Sequence, residues 1–193
     1  MNCFTSGLSN GDSDLDGILA LQRANLRSRV SPAQAAQQGF VTVEHTREIL
    51  LQMHALGPSV VARVGDEVVG YALTMTRECR PLLPVLEPMF ARFDELSYTD
   101  RPLSECSFYV MGQICVAESM RGRGVFDDMY KAHREHFSGS YQLLLTEISA
   151  RNPRSLRAHA RVGFSELTRY RDETDDWVIV SWDLSAPLSA RSS

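Results

Sequence analysis

Residues 121–126 read Arg121-Gly122-Arg123-Gly124-Val125-Phe126, and they join two segments of different character. The uncharged run from Cys106 to Ala117 precedes them, with Ser107 to Val116 reading as a buried strand. An amphipathic helix running to about Phe137 follows. A strand that turns through glycines and arginines into a helix makes an anion site. The glycines let the backbone approach a phosphate, the free amides of the first helical turn point at it, and the helix dipole favours negative charge. A pyrophosphate fits that cradle, against the competing reading of a plain solvated Arg-Gly loop. Other phosphate patterns fit worse: no G-x-G-x-x-G follows an early strand, and Gly65 to Gly70 lacks the Lys and Ser/Thr of a nucleotide P-loop.

Downstream of this turn, Gln142 to Ile148 reads as a strand and Asn152-Pro153 opens another helix, which completes a strand-helix-strand-helix unit. Two closing strands, about Phe164 to Tyr170 and Trp177 to Leu184, flank the acidic loop Asp172 to Asp176. Upstream, helices come first. One runs from Asp12 to Arg29, with acids at its start and arginines at its end. A second starts after Thr42 as N-cap and stops at Gly57-Pro58. The Val-rich segments Ser59 to Val64 and Glu67 to Met75 flank Gly65-Asp66 as a hairpin. Pro81, Pro84, Pro88 and Pro102 then punctuate a long connection whose helical stretch is Val85 to Leu96.

The 193 residues, 44% hydrophobic and 23% charged, suit one globular domain spanning 1–186, with a flexible tail at 187–193. A net charge of -4 argues against a nucleic-acid partner, so a polyanionic ligand needs a local basic patch. Cys3, Cys79, Cys106 and Cys115 form no C-x-x-C pair, which leaves no zinc or disulfide framework to read. The N-terminus lacks the charge and apolar run of a secretory signal, and the longest uncharged stretch is too short to span a bilayer. The expectation is a cytoplasmic protein without a metal or a membrane partner.

At this point the chain resembles the GNAT superfamily of acyl-CoA-dependent N-acyltransferases. Its first signature is Arg or Gln, two residues, Gly, one residue, then Gly or Ala, and Arg121, Gly124 and Phe126 occupy those places. The second is similar to Asn152-Pro153-Arg154-Ser155 followed by a helix and Gly163-Phe164. The order of elements agrees as well. The resemblance implies an α/β (α+β) fold with a mixed, mostly antiparallel sheet of about six to seven strands and about four helices, splayed between its fourth and fifth strands. It implies acetyl-CoA as acyl donor, bound in that splay. Its pyrophosphate would lie on the amides of Arg121, Gly122, Arg123, Gly124, Val125 and Phe126. Its pantetheine would pair with the backbone of Ile114, Cys115 and Val116 like an added strand, and Asn152 and Ser155 complete the donor set. The acceptor is the primary amine of a small molecule or peptide, and a homodimer is compatible with the chain.

Some positions depart from the pattern. Phe126 stands where Gly or Ala is usual. His159 stands where the family most often has a Tyr as general acid; an imidazole can protonate a thiolate, or simply pack in the last turn of its helix. Gln113 replaces the acidic residue that many relatives carry on the central strand and cannot accept a proton. Glu147, on the next strand, is the candidate base, although a charge in an apolar strand more often faces solvent. Tyr109 and Tyr130 read as core, Cys115 as buried, and His133 with His136 as a solvated helix face. Arg151, Arg154, Arg157 and Arg161 make a basic stripe suited to CoA phosphates, and the 172–176 loop an acidic one suited to a cationic amine. A non-catalytic acyl-CoA-binding domain is the alternative function. A Ser or Cys hydrolase is disfavoured, since there is no G-x-S-x-G elbow.

Overall fold

The computed structural model describes residues 3–26, 41 and 43–185. Arg27, Arg29, Thr42 and the expected tail at 187–193 lie outside them. The described chain opens on a strand, not a helix: β1 (Thr5–Leu8) pairs antiparallel with β2 (Val60–Val64). Thr-Ser-Gly-Leu has no apolar alternation, so its strand character comes from pairing at a sheet edge. β2 and β3 (Glu67–Met75) form the expected hairpin, with Gly65 at φ 59 in the turn. β4 (Phe108–Val116) pairs antiparallel with β3 and parallel with β5 (Leu143–Ser149). β6 (Ser165–Arg171) and β7 (Asp176–Asp183) close the sheet, with β7 against β5. The seven-stranded order is β1-β2-β3-β4-β5-β7-β6, and β4–β5 is its parallel junction.

Five α-helices occur among the described residues. α1 (Asp12–Asn25), α2 (Arg47–Leu56) and α3 (Glu87–Asp94) cover one face. Their Ile18, Leu50 and Phe93 pack with Tyr71, Val110 and Leu145 of the sheet. α4 (Val125–Phe137) and α5 (Pro153–Val162) cover the other, where Met129 and Tyr130 meet Ala72, Met111 and Leu144. The second helix starts later than the sequence reading has it. Its N-cap is Thr46, whose hydroxyl accepts from the Ile49 amide at 3.2 Å. The expected helix at Val85 to Leu96 shortens to α3, framed by 3-10 turns and a small ladder between Ser97–Tyr98 and Arg101–Pro102.

Two features of β4 open the sheet. Its ladder to β5 runs from Phe108↔Leu143 to Val110↔Leu145 and ends there. At the next position the Thr146 hydroxyl donates to the Met111 carbonyl at 3.0 Å, so a side chain replaces the backbone bond where the strands part. Against β3, Leu73 faces Gln113 while Thr74 faces Met111, which makes Gly112 the extra residue of a bulge. The bulge thus lies just past the end of the β4–β5 ladder.

The Gly163-Phe164 corner is tightly specified. Gly163 has φ 118 and caps α5, its amide bonding the Ala160 carbonyl. A Cβ there would stand 2.7 Å from Trp182 Nε1. Gly163→Ala should therefore destabilise the fold by roughly 2 to 4 kcal/mol, from backbone strain plus overpacking. An unchanged urea midpoint would contradict this geometry.

Candidate active site

The fork opens into a cleft of about 570 Å³, walled by Ile114 to Val116 on one side and by the starts of α4 and α5 on the other. Its floor is the Gly/Arg turn. Gly122 and Gly124 have φ 74 and 85, and a Cβ on either would point into open space. The backbone thus turns twice through left-handed conformations with nothing between it and a ligand. The first helical bond of α4 runs from the Asp128 amide to the Gly124 carbonyl at 3.0 Å. The amides of Val125, Phe126 and Asp127 precede that ladder, and glycine at the N-cap has no side chain to cover them. The Arg121 amide is spent on the Glu118 carbonyl at 3.2 Å, so the cradle consists of the turn from Gly122 onward.

The Arg121 side chain works as a brace. Its Nε donates to the Val116 carbonyl at 3.0 Å and an amino group donates to Asn25 Oδ1 at 2.7 Å, tying the end of β4 to the end of α1. Since backbone groups alternate sides along a strand, Ile114 presents its amide and carbonyl on the same gap side as Val116. That open edge can take an extended ligand chain.

Arg154, Arg157 and Arg161 line the opposite wall. Burial and the neighbouring Arg121 guanidinium hold the Arg154 pKa below its ordinary value. Two like charges facing one cleft disfavour each other, and an anion between them relieves both. Arg161 is bidentate to Asp127, at 2.6 and 3.3 Å, and so fastens α5 to the first turn of α4. Asn152 caps α5 by accepting from the Ser155 amide at 3.1 Å. Arg123 is exposed and is not part of the lining.

His159 does not reach the cleft. It is 2% exposed, its Nδ1 lies 2.8 Å from the Ser155 carbonyl, and its Nε2 lies 2.7 Å from the Tyr130 hydroxyl. A carbonyl only accepts, so Nδ1 carries the proton and Nε2 receives the Tyr130 O–H. Both nitrogens are committed, burial pulls the pKa to about 4, and the Phe126 ring covers the imidazole edge-on at 5.2 Å. The general-acid expectation for His159 is thereby replaced by a packing role. His133 also differs from its reading as solvated: it is fully buried, bonding Tyr109 and the Ala72 carbonyl. Cys115 is buried, with its thiol pushed up to about 11, chiefly by desolvation, so it is not a ready nucleophile.

The other face of the fork holds a different set. Gln113 is held at both ends of its amide: Oε1 accepts from Tyr71 and Gln22 at 2.6 and 2.9 Å, and Nε2 donates to the Val43 carbonyl at 2.9 Å. Glu147 follows Thr146 on β5, beyond the end of the β4–β5 ladder. Glu147 shares strand parity with Leu143 and Leu145, hence the α1–α3 face. It is half-buried, its carboxylate accepts from the Tyr170 hydroxyl, and burial raises its pKa to about 7. The solvent-facing reading of Glu147 does not hold. The acidic loop is also less free than its composition implies: Asp172 accepts from Thr174, Asp175 and Trp177, and Asp175 from Ser149 and Arg151.

No family model matches the chain, and no curated protein matches its sequence. Solved structures do. The ribosomal-protein-S18-alanine N-acetyltransferase from Escherichia coli superposes with a TM-score of 0.63 at 11% identity, over 95% of this chain and 96% of that one. A GNAT-family acetyltransferase from Streptococcus agalactiae gives 0.63 at 13%, over 93% and 95%. A chain of the NatC complex bound to Gag peptide and CoA gives 0.62 at 12%, over 94% and 99%. The chain has the GNAT fold. At these identities the likeness is one of architecture, and the chemistry has to be argued from the side chains.

On this GNAT fold, the cleft lining includes Ile114, Cys115, Val116, Arg121, Gly122, Gly124, Val125, Phe126, Asn152 and Ser155, all singled out from sequence. The lining omits Arg123, His159 and Glu147, and Arg151 of the basic stripe, which pairs with Asp175 instead. Asn25 and Val41 join the wall from the first helix and the segment after it, where no motif announces them. Tyr170 escaped the sequence reading too, because its link to Glu147 is made across β7.

Proposed function

We propose that this protein transfers an acyl group, acetyl in the simplest case, from acyl-CoA to a primary amine by direct attack on the thioester, with Glu147 as general base. The observation that carries the reading is the fork itself: an open amide cradle and arginine-lined cleft on one side, and a half-buried carboxylate of raised pKa, held by Tyr170, on the other. The pyrophosphate would sit on the amides from Gly122 to Phe126, and Arg154 and Arg157 would offset its charge. The pantetheine would add to the Ile114–Val116 edge, and a backbone N–H there would polarise the thioester carbonyl. The acceptor amine would approach from the α1–α3 face. Its nitrogen attacks the carbonyl carbon, its proton passes to Glu147, and the CoA thiolate leaves and takes a proton from water. Positioning supplies much of the acceleration, because CoA brings the activated acyl group with it.

Calorimetry with acetyl-CoA tests the donor half. Arg154→Ala should weaken binding about 10- to 100-fold, the usual range for losing a charge-assisted contact to phosphate. An unchanged Kd would remove Arg154 from the donor site, and no binding by the unmodified protein would refute the reading. An amine-library screen that follows released thiol tests the acceptor half. Binding without turnover of any amine would leave the acyl-CoA-binding domain as the answer.

A further inference from the structure

Glu147 is held by an arrangement that the donor cleft does not use. The Tyr170 hydroxyl donates to its Oε2. Tyr170 lies on β6, with β7 between it and β5, and its ring packs against the core under α1–α3. Over that ring, 5.0 Å from its centroid, stands the guanidinium of Arg92 on α3, a cation–π contact. Arg92 pairs in turn with Glu95 at 2.8 Å. A chain of contacts thus runs from the long connection between β3 and β4 to the Glu147 carboxylate. The groups that face Glu147 are Tyr170 from β6, Asp172 from the β6–β7 loop and, beyond the Tyr170 ring, Arg92 from α3.

We infer that Tyr170 is a positioning residue for acyl transfer, fixing one oxygen of Glu147 so that the other takes the proton of the attacking amine. The inference rests on the reading of Glu147 as base. A tyrosine O–H has one proton to give, and giving it to Oε2 leaves the lone pairs of Oε1 for the amine. The tyrosine keeps its own proton throughout; the N–H bond of the amine breaks and an O–H bond forms on Glu147. The same bond has an electrostatic effect. It favours the ionised carboxylate, while burial and the Asp172 charge oppose ionisation. The hydroxyl therefore keeps a desolvated carboxylate able to accept a proton near neutral pH. Arg92, by clamping the ring, makes the α3 connection part of the same device.

The test is a carboxyl ¹³C NMR titration of the full chain labelled at glutamate, with Glu147→Gln assigning the resonance, beside pH profiles of transfer to an amine found in the screen. In the unmodified protein the Glu147 midpoint should lie near 7. Tyr170→Phe should move it up by about one unit. The acid limb of kcat/KM should follow, rate at pH 7 should fall about fivefold, and KM for acetyl-CoA should stay put. Arg92→Ala, which leaves the tyrosine in place, should move the midpoint the same way by less. If Tyr170→Phe does not fold, the Arg92→Ala shift decides. Midpoints unmoved by these substitutions would overturn the role of Tyr170 while leaving Glu147 as base. A midpoint near 4.5 in the unmodified protein would instead sink the base reading beneath it.

Discussion

Glu147→Gln is expected to lower kcat by about 10²- to 10⁴-fold, the span usual for removing a general base, with acetyl-CoA affinity barely altered. The substitution is nearly isosteric and keeps an oxygen for the Tyr170 hydroxyl, so the β5–β6 contact should survive. It removes the capacity to accept a proton. The Glu147 pKa is raised to about 7, so the carboxyl is half protonated at neutral pH and idle below it. Activity should therefore fall as the pH drops through about 7, in a limb that the Gln variant lacks. The acceptor amine has its own, more alkaline titration, which both proteins should share. A Gln variant with a normal rate, or with the limb near 7 intact, would remove Glu147 from the mechanism.

The second large effect concerns the whole fold. His45, His133 and His159 are each nearly or fully buried, and desolvation lowers their pKa values to about 4, about 3 and about 4. In the unfolded chain each titrates near 6.5. Above that pH both states are neutral and these histidines cost nothing. Between about 6.5 and 4 the unfolded chain binds protons that the folded chain refuses, so stability is lost as pH falls. Glu147 acts in the opposite sense: its folded pKa is raised, so from about 7 down to 4.5 the folded chain takes a proton that the unfolded one does not. For these four groups the balance is about two protons, or roughly 3 kcal/mol of stability lost per pH unit below 6.5, and His54, lowered by desolvation, adds to the loss. A domain stable by about 5 to 15 kcal/mol cannot absorb much of that, and unfolding should set in between about pH 5 and 4. Urea midpoints at pH 7.5, 6.5, 5.5 and 4.5 give the slope. A flat profile from 6.5 to 4.5 would mean that the three imidazoles are not sequestered as described.

The features that could be read from sequence are those fixed by local chemistry. The Gly122 and Gly124 turn, the Asn152 cap and the Gly163 stop each depend on a few neighbouring residues, and each stands where the pattern put it. The hairpin at Gly65 is of the same kind. What escaped depends on partners remote in the chain. β1 is a strand because Val60 to Val64 lie beside it. His159 was open to two readings, and its fate turns on Tyr130, 29 residues earlier. Glu147 looks like a surface charge along β5 alone; Tyr170 and the desolvation around it are supplied by the closing hairpin. Phe126 breaks the motif as a letter, yet its backbone still forms part of the cradle while its ring seals the packed imidazole behind it.

The extra residue at Gly112 acts as a switch of parity. Before it, the even-numbered Phe108 and Val110 belong to the α1–α3 core; after it, the odd-numbered Gln113 and Cys115 do. Deleting that one glycine would turn the remainder of β4 over like a page. Ile114 and Val116 would exchange sides with Gln113 and Cys115, placing an amide and a thiol against α4 and aliphatic chains against Tyr71 and Gln22. The two walls of the fork are thus assigned by a count of residues, set before any side chain is chosen.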